Sequence, residues 1–134
     1  MTPSEIFSAI SLVVSAAALV YTAKSVSATR RAAQLQLFHS IFQEIKKLDQ
    51  DYIRLFRNTN TRPSKDWCFD FFNTLEYLAF LLNHGLIERE GLSEFYDDAV
   101  RHWHRTFNEN TDKKDLDDPD FYPEFKRLHR QICA

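Results

Sequence analysis

The chain has 134 residues, a net charge of −2 and two cysteines, Cys68 and Cys133. This length suffices for one domain, and the near-neutral charge does not indicate bulk binding to nucleic acid. The cysteines fit no zinc-site spacing, and the sequence does not resemble a secreted disulfide scaffold. We interpret Cys68 as a reduced core residue and expect neither a metal nor a cofactor.

An uncharged segment of eighteen residues lies between Glu5 and Lys24. As an α-helix with a rise of ~1.5 Å per residue it is about 27 Å long, close to the ~30 Å hydrocarbon core of a bilayer. We therefore predict that residues 6–23 cross a membrane once. Two alternatives stay open, the core helix of a soluble protein and a cleaved signal peptide. Against the signal peptide, Glu5 stands where basic residues usually precede the apolar run.

Basic residues flank this segment on its C-terminal side only, at Lys24, Arg30 and Arg31. The positive-inside rule places that side in the cytosol and the N-terminus outside. We predict a transmembrane segment with its basic flank in residues 1–29 and a cytosolic helical domain in residues 30–134.

Small residues, most of them hydroxylated, recur along the predicted span at alternating steps of three and four. They are Ser8, Ser11, Ser15, Ala18, Thr22, Ser25 and Thr29. This is the a/d spacing of a heptad repeat, whose side faces a partner helix. In one interpretation the small residues let helices pack closely, with hydroxyls bonding across the contact. In the other, several copies surround an axis and the residues from Ser8 to Ser25 line a wet pore. Both need self-association, so we predict a homo-oligomer and favour a tetramer.

The rest of the chain has helical periodicity and no strand signal. Neither Gly nor Pro occurs from Ser4 to Arg62, and apolar residues continue at helical spacing, so we predict one long helix over residues 5–57. Ser64 fits the N-cap of a second helix over residues 65–84, and Gly85 fits the position just past its end.

This second helix is apolar nearly all round, which predicts that it is the core helix. We predict a third helix over residues 92–108, then the acidic loop NENTDKKDLDDPD, and a last short helix from about 122–124 to 132. The residues that give these helices their apolar character include Trp67, Phe71, Phe80, Leu92, Phe95, Trp103, Phe107, Phe125 and Leu128. The predicted fold is all-α, with a transmembrane helix that continues as a long helix into a cytosolic bundle of about four helices.

Patterns for catalysis and metal binding are weak. His102 and His104 are two residues apart on a helix and point in different directions, so they cannot chelate one metal ion together. The acidic loop lacks the Gly and the final Glu of a calcium loop. Because neither a Gly-rich phosphate loop nor a nucleophile elbow occurs, we predict that the protein is not an enzyme.

One group of basic residues indicates ligand binding. Arg101, His104 and Arg105 share the polar face of the third helix beside aromatic residues, and Lys46 and Lys47 could join them from the first helix. Arginine next to aromatic rings suits phosphates and stacked bases. The alternative is ordinary surface pairing with the carboxylates of the same helix.

The order of segments also carries a resemblance. An N-terminal span with paired arginines, the run FFNTLEYLAFLLNHGLIEREGLSEFYDDAVRHW and the later FYPEFKRL resemble a widespread bacterial family of small single-pass membrane proteins. Their all-helical cytosolic domain has been filed as a domain of unknown function. The most characteristic pieces are Leu75–Leu86, Tyr96–Trp103 and the Tyr122-Pro123 pair. These are packing motifs, so the resemblance implies a fold rather than an activity.

The architecture is also similar to small membrane effectors of bacterial anti-phage operons, such as the channel subunit of Hailong-type defence. In those systems a partner enzyme makes a nucleotide signal that controls an oligomeric membrane protein. The resemblance implies a bacterial inner-membrane effector that forms an ion-conducting pore under the control of a nucleotide or short nucleic acid. The alternative hypothesis is a membrane-tethered helical module that binds a protein partner.

Overall fold

The computed structural model describes residues 2–89 and 94–133, apart from the side chains of Glu94 and Phe95. In these ranges all regular structure is helical, which confirms the predicted all-α class. The elements are α1 (Pro3–Tyr52), a π-helical turn (Ile53–Arg57), α2 (Lys65–Asn83), α3 (Glu94–Glu109), α4 (Lys113–Asp117) and α5 (Pro123–Cys133). The chain divides into two units, one up to Gln36 and one from Leu37 onwards.

The first unit is the N-terminal part of α1, and it is the long apolar helix that the sequence predicts. Its most apolar eighteen-residue window has a mean hydropathy of 2.0, and none of that window is buried. Phe7, Leu12 and Leu19 are each 72–75% exposed. Among the described residues, this helix alone is long and apolar enough to cross a membrane.

The predicted long helix extends to Arg57, but its last turn is π-helical. The Asn58 amide donates to the Ile53 carbonyl at 3.0 Å, five residues back. The hydroxyl of Thr59 donates to the Leu55 carbonyl at 2.6 Å. An α-helix would need that carbonyl for the Thr59 amide, so the side chain competes with the backbone and favours the wider turn. Asn60, at φ +52°, then ends the helix in a left-handed conformation that asparagine tolerates.

Both predicted ends of α2 are confirmed by their capping bonds. The Ser64 side chain accepts from the Trp67 amide at 3.2 Å, as an N-cap does. At the other end Gly85 has φ +69°, and the Leu86 amide donates to the Leu81 carbonyl at 2.9 Å. These are features of a Schellman motif, in which glycine adopts the left-handed conformation without steric cost.

The second unit has a core built mainly by α2, as predicted, and α5 packs against both α2 and α3. The buried residues are Ile41 and Ile45 of α1, Trp67, Phe71, Phe72, Leu75, Leu78, Ala79, Leu81 and Leu82 of α2, Ile87, Tyr96, Val100, Trp103, Thr106 and Phe107 around and within α3, and Phe125 and Leu128 of α5. Phe80 is 43% exposed, and its ring lies on His84 with 4.4 Å between centroids. Leu92 and the side chain of Phe95 lie outside the described residues.

The prediction of an acidic loop is wrong for Lys113–Asp117, which forms the short helix α4. Leu116 packs against the core. The ammonium of Lys126, on α5, donates to the carbonyls of Asp115, Leu116 and Asp118 at 3.2, 3.0 and 2.8 Å. A cation that bonds the last carbonyls of a helix satisfies groups that its own backbone cannot. Tertiary contacts therefore hold a helix whose local sequence predicts a loop.

Candidate functional site

The first candidate site is the hydroxyl stripe, which we define as Ser8, Ser11, Ser15, Ala18, Thr22 and Ser25. Since α1 is α-helical over the whole stripe, steps of three and four place these residues on one side of the helix. All six are exposed. Their hydroxyls form no hydrogen bond with another described residue, so they are available to bond across a contact. Bulky apolar residues such as Leu12, Val13 and Leu19 occupy the other sides and are exposed as well.

The five residues predicted to bind a ligand do not form one group. Arg101 makes the surface pair that was the alternative interpretation, with its Nη1 3.1 Å from Oδ1 of Asp98. His104 contacts α5, whereas Arg105 lines a cavity on another side of α3. Lys46 and Lys47 are exposed on α1 and do not line that cavity. Residues on the polar face of α3 therefore lie against two different elements, α5 on one side and the end of α1 with the π-helical turn on the other.

The cavity beside Arg105 has a volume of about 330 Å³ and lies between the end of α1, the π-helical turn and α3. Its polar lining includes Asp49, Arg57, His102, Arg105, Thr106 and Glu109. Nε2 of His102 lies 3.2 and 3.1 Å from the two carboxylate oxygens of Asp49. An ionised carboxylate only accepts, so this nitrogen donates and ties α3 to α1. We call this space the arginine cavity.

A larger cavity of about 550 Å³ lies beside the start of α2. Its lining carries charges of both signs, including Arg62, Lys65, Asp112 and Asp115, so it does not select a ligand by charge. Cys68 also lines it, as a free, half-buried cysteine. Burial raises the pKa of the Cys68 thiol, which keeps the sulfur protonated and weakly nucleophilic.

The rings of His104 and His129 stack face to face, with 3.3 Å between centroids and 1° between planes. Burial, together with the neighbouring His129, lowers the pKa of His104 to about 4. Burial and the charge of Arg101 lower the pKa of His129 too. Both rings are therefore neutral at pH 7, and the stack joins α3 to α5. In the part of the chain that the structure describes, no group of three or more His, Cys, Asp or Glu residues could hold a metal ion.

This stack should make the domain less stable in acid. A histidine whose pKa is lower in the folded state contributes fully to stability above the unfolded pKa of about 6.5. That stability is lost as the pH falls towards the folded pKa. We expect the free energy of unfolding to fall between about pH 6.5 and pH 4. Urea denaturation at several pH values, followed by tryptophan fluorescence, measures this loss.

A phenylalanine at position 129 keeps a stacked ring but removes one of the two groups that become charged in acid. The His129→Phe protein should therefore lose less stability in acid than the wild type. His39→Phe is the matched control, because His39 is exposed on α1. An equal acid loss in wild type and His129→Phe would contradict the role of the stack.

Sequence reasoning missed the role of Glu76. Its two carboxylate oxygens accept from the amides of Glu124 and Phe125 at 3.0 and 2.8 Å, which caps the N-terminus of α5 from α2. Nδ2 of Asn83 donates to the Glu124 carboxylate at 2.7 Å, and this bond is the largest cause that lowers the pKa of Glu124. The available signal was the seven-residue spacing of Glu76 and Asn83, two polar residues on one side of an apolar helix.

No protein-family model matches the chain, and neither a curated protein nor a solved structure does. The resemblance of the sequence motifs therefore stays a prediction, and the case for a function rests on the residues described above.

Proposed function

We propose that this protein is a homo-oligomeric membrane effector whose first helix meets its own copies through the hydroxyl stripe and encloses an ion-conducting pore. In this proposal residues 6–23 cross the bacterial inner membrane, with the N-terminus outside and the helical domain in the cytosol. The observation that carries the proposal is one helix with exposed bulky apolar residues on most sides and unbonded hydroxyls along the remaining side.

Lipid would cover the apolar sides favourably. Ile6, Phe7, Ile10, Leu12, Val13, Val14, Leu19 and Val20 are the strong contributors, and at ~0.3–0.6 kcal/mol each they supply about 2.5–5 kcal/mol. Four serine and threonine hydroxyls within the span oppose this gain, so a single helix in lipid would be poorly stabilised. Association of copies removes the hydroxyls from lipid, which is why the proposal includes an oligomer, with four copies favoured.

The hydroxyls could bond between tightly packed helices or face water in a pore, and we favour the pore. No charged residue lies between Glu5 and Lys24, so the middle of the pore would be uncharged. The charges of Glu5 and Lys24 would then lie near its two mouths.

Blocking the stripe tests the proposal. Replacing both Ser11 and Ser15 with leucine should abolish ion flux from liposomes while preserving membrane insertion, because two bulky apolar side chains would replace the polar lining. The matched control is Val13→Leu with Val20→Leu, which adds apolar volume on other sides and should leave flux unchanged. Wild-type flux from the serine double variant would refute a pore lined by this face.

The second part of the proposal concerns control. The cytosolic domain would hold the subunits together and receive a nucleotide or short nucleic-acid signal from a partner enzyme in anti-phage defence. Its support is the similarity in architecture to anti-phage effectors and the unbroken course of α1 from Pro3 to Tyr52. A change in packing at the end of α1 could then reach the span without a flexible linker.

A membrane-tethered interaction module is the second candidate. Its support is that, among the described residues, Ile41 is the first buried one and Phe38 the first that packs against the core, so the packing of the domain does not use the span. A tethered module without residues 1–29 should still bind its protein partner, and overexpression of the full-length chain should not depolarise cells. Depolarisation by the full-length chain would favour the pore.

A further inference from the structure

Two arginines of the arginine cavity have no charged partner among the described residues. Arg57 belongs to the π-helical turn and Arg105 to α3, and both line the cavity. Neither forms an ion pair or a side-chain hydrogen bond with another described residue. Their neighbours differ, since Arg54 pairs with Asp51 and Arg101 with Asp98, both at 3.1 Å. Two exposed arginines that form no ion pair with a described residue therefore line one cavity from two elements.

The carboxylates of the cavity only partly balance these charges. Asp49 already accepts from His102 through both oxygens. Glu109 forms no ion pair with a described residue and is exposed, so it opposes the binding of an anion. Thr106 is a buried polar residue, at 4% exposure, and its hydroxyl donates a long hydrogen bond of 3.4 Å to the His102 carbonyl. Since Thr106 also lines the cavity, its hydroxyl is a candidate donor to a ligand there.

We propose that the arginine cavity binds a phosphomonoester through Arg57 and Arg105, with the Thr106 hydroxyl as a further donor. Guanidinium groups bind phosphate oxygens in pairs, and a phosphomonoester carries almost two negative charges at pH 7. A volume of about 330 Å³ suits a ligand of the size of a mononucleotide. This inference rests on the proposed function in one respect, because it names the binding site of the proposed nucleotide signal. The same phosphate chemistry could come from a soluble nucleotide or from a lipid headgroup.

Calorimetric titration of the full-length protein in detergent tests the site. The probes are inorganic phosphate, AMP and a short-chain phosphatidic acid below its micelle concentration. We expect Arg57→Gln and Arg105→Gln each to weaken binding by roughly tenfold or more, because each removes a charged donor. The matched controls Arg54→Gln and Arg101→Gln remove arginines paired outside the cavity and should bind like the wild type. Glu109→Gln should strengthen binding, because it removes an opposing charge.

Binding of AMP or inorganic phosphate with this pattern supports a soluble ligand, and binding of phosphatidic acid alone supports a lipid headgroup. The proposal is overturned if the wild type binds none of the probes, or if Arg57→Gln and Arg105→Gln bind as the wild type does. The Ser11→Leu, Ser15→Leu double variant should bind like the wild type. Normal binding by a wild-type protein that conducts no ions would leave this site in place and refute the pore alone.

Discussion

Replacing Phe107 with alanine should lower the free energy of unfolding of the helical domain by about 3–5 kcal/mol. Phe107 is fully buried, and its ring lies 4.7 Å from that of Phe72 and 5.4 Å from that of Phe125. It therefore joins α3 to both α2 and α5. Alanine would leave a cavity where three helices meet, which removes the transfer free energy of the ring and its packing contacts together.

Urea denaturation of the full-length protein in detergent measures this loss. Trp67 and Trp103 are both buried, so their fluorescence reports the unfolding of this core. Phe69→Ala is the matched control, because Phe69 is 64% exposed and its loss should change the free energy of unfolding by no more than about 0.5 kcal/mol. Equal effects of the two alanine substitutions would show that the helices do not meet at Phe107.

Replacing Glu76 with alanine should have the second large effect and lower the free energy of unfolding by about 2–3 kcal/mol. The substitution removes the acceptor of the Glu124 and Phe125 amides, which lie in the first turn of α5 and have no acceptor within their own helix. It also removes a carboxylate from the positive end of the helix dipole. Two partly buried donors would then lack a partner.

Denaturation and amide hydrogen exchange together check this role. In Glu76→Ala the amides of Glu124 and Phe125 should exchange faster than in the wild type. Asp70→Ala is the matched control, since Asp70 is exposed on the same helix and its carboxylate has no partner among the described residues. Unchanged exchange at both amides would show that Glu76 does not cap α5.

The elements that depend on neighbouring residues could be predicted from the sequence. The absence of Gly and Pro from Ser4 to Arg62 predicts the long first helix, and Ser64 and Gly85 predict the two ends of α2. Apolar spacing predicts that α2 builds the core. These predictions succeed because helix caps, left-handed turns and amphipathic faces are set by interactions within a few residues.

The contacts between distant residues were decided by the tertiary structure alone. Lys126 stabilises α4 in a segment whose sequence predicts a loop, and Glu76 caps a helix 48 residues away. The structure also divides the predicted ligand residues, since His104 of α3 packs against α5 and Arg105 lines the arginine cavity with Arg57. Sequence spacing predicts which residues share a face of a helix. Only the tertiary structure shows which element packs against that face, because a contact between distant residues has no signature in the local sequence.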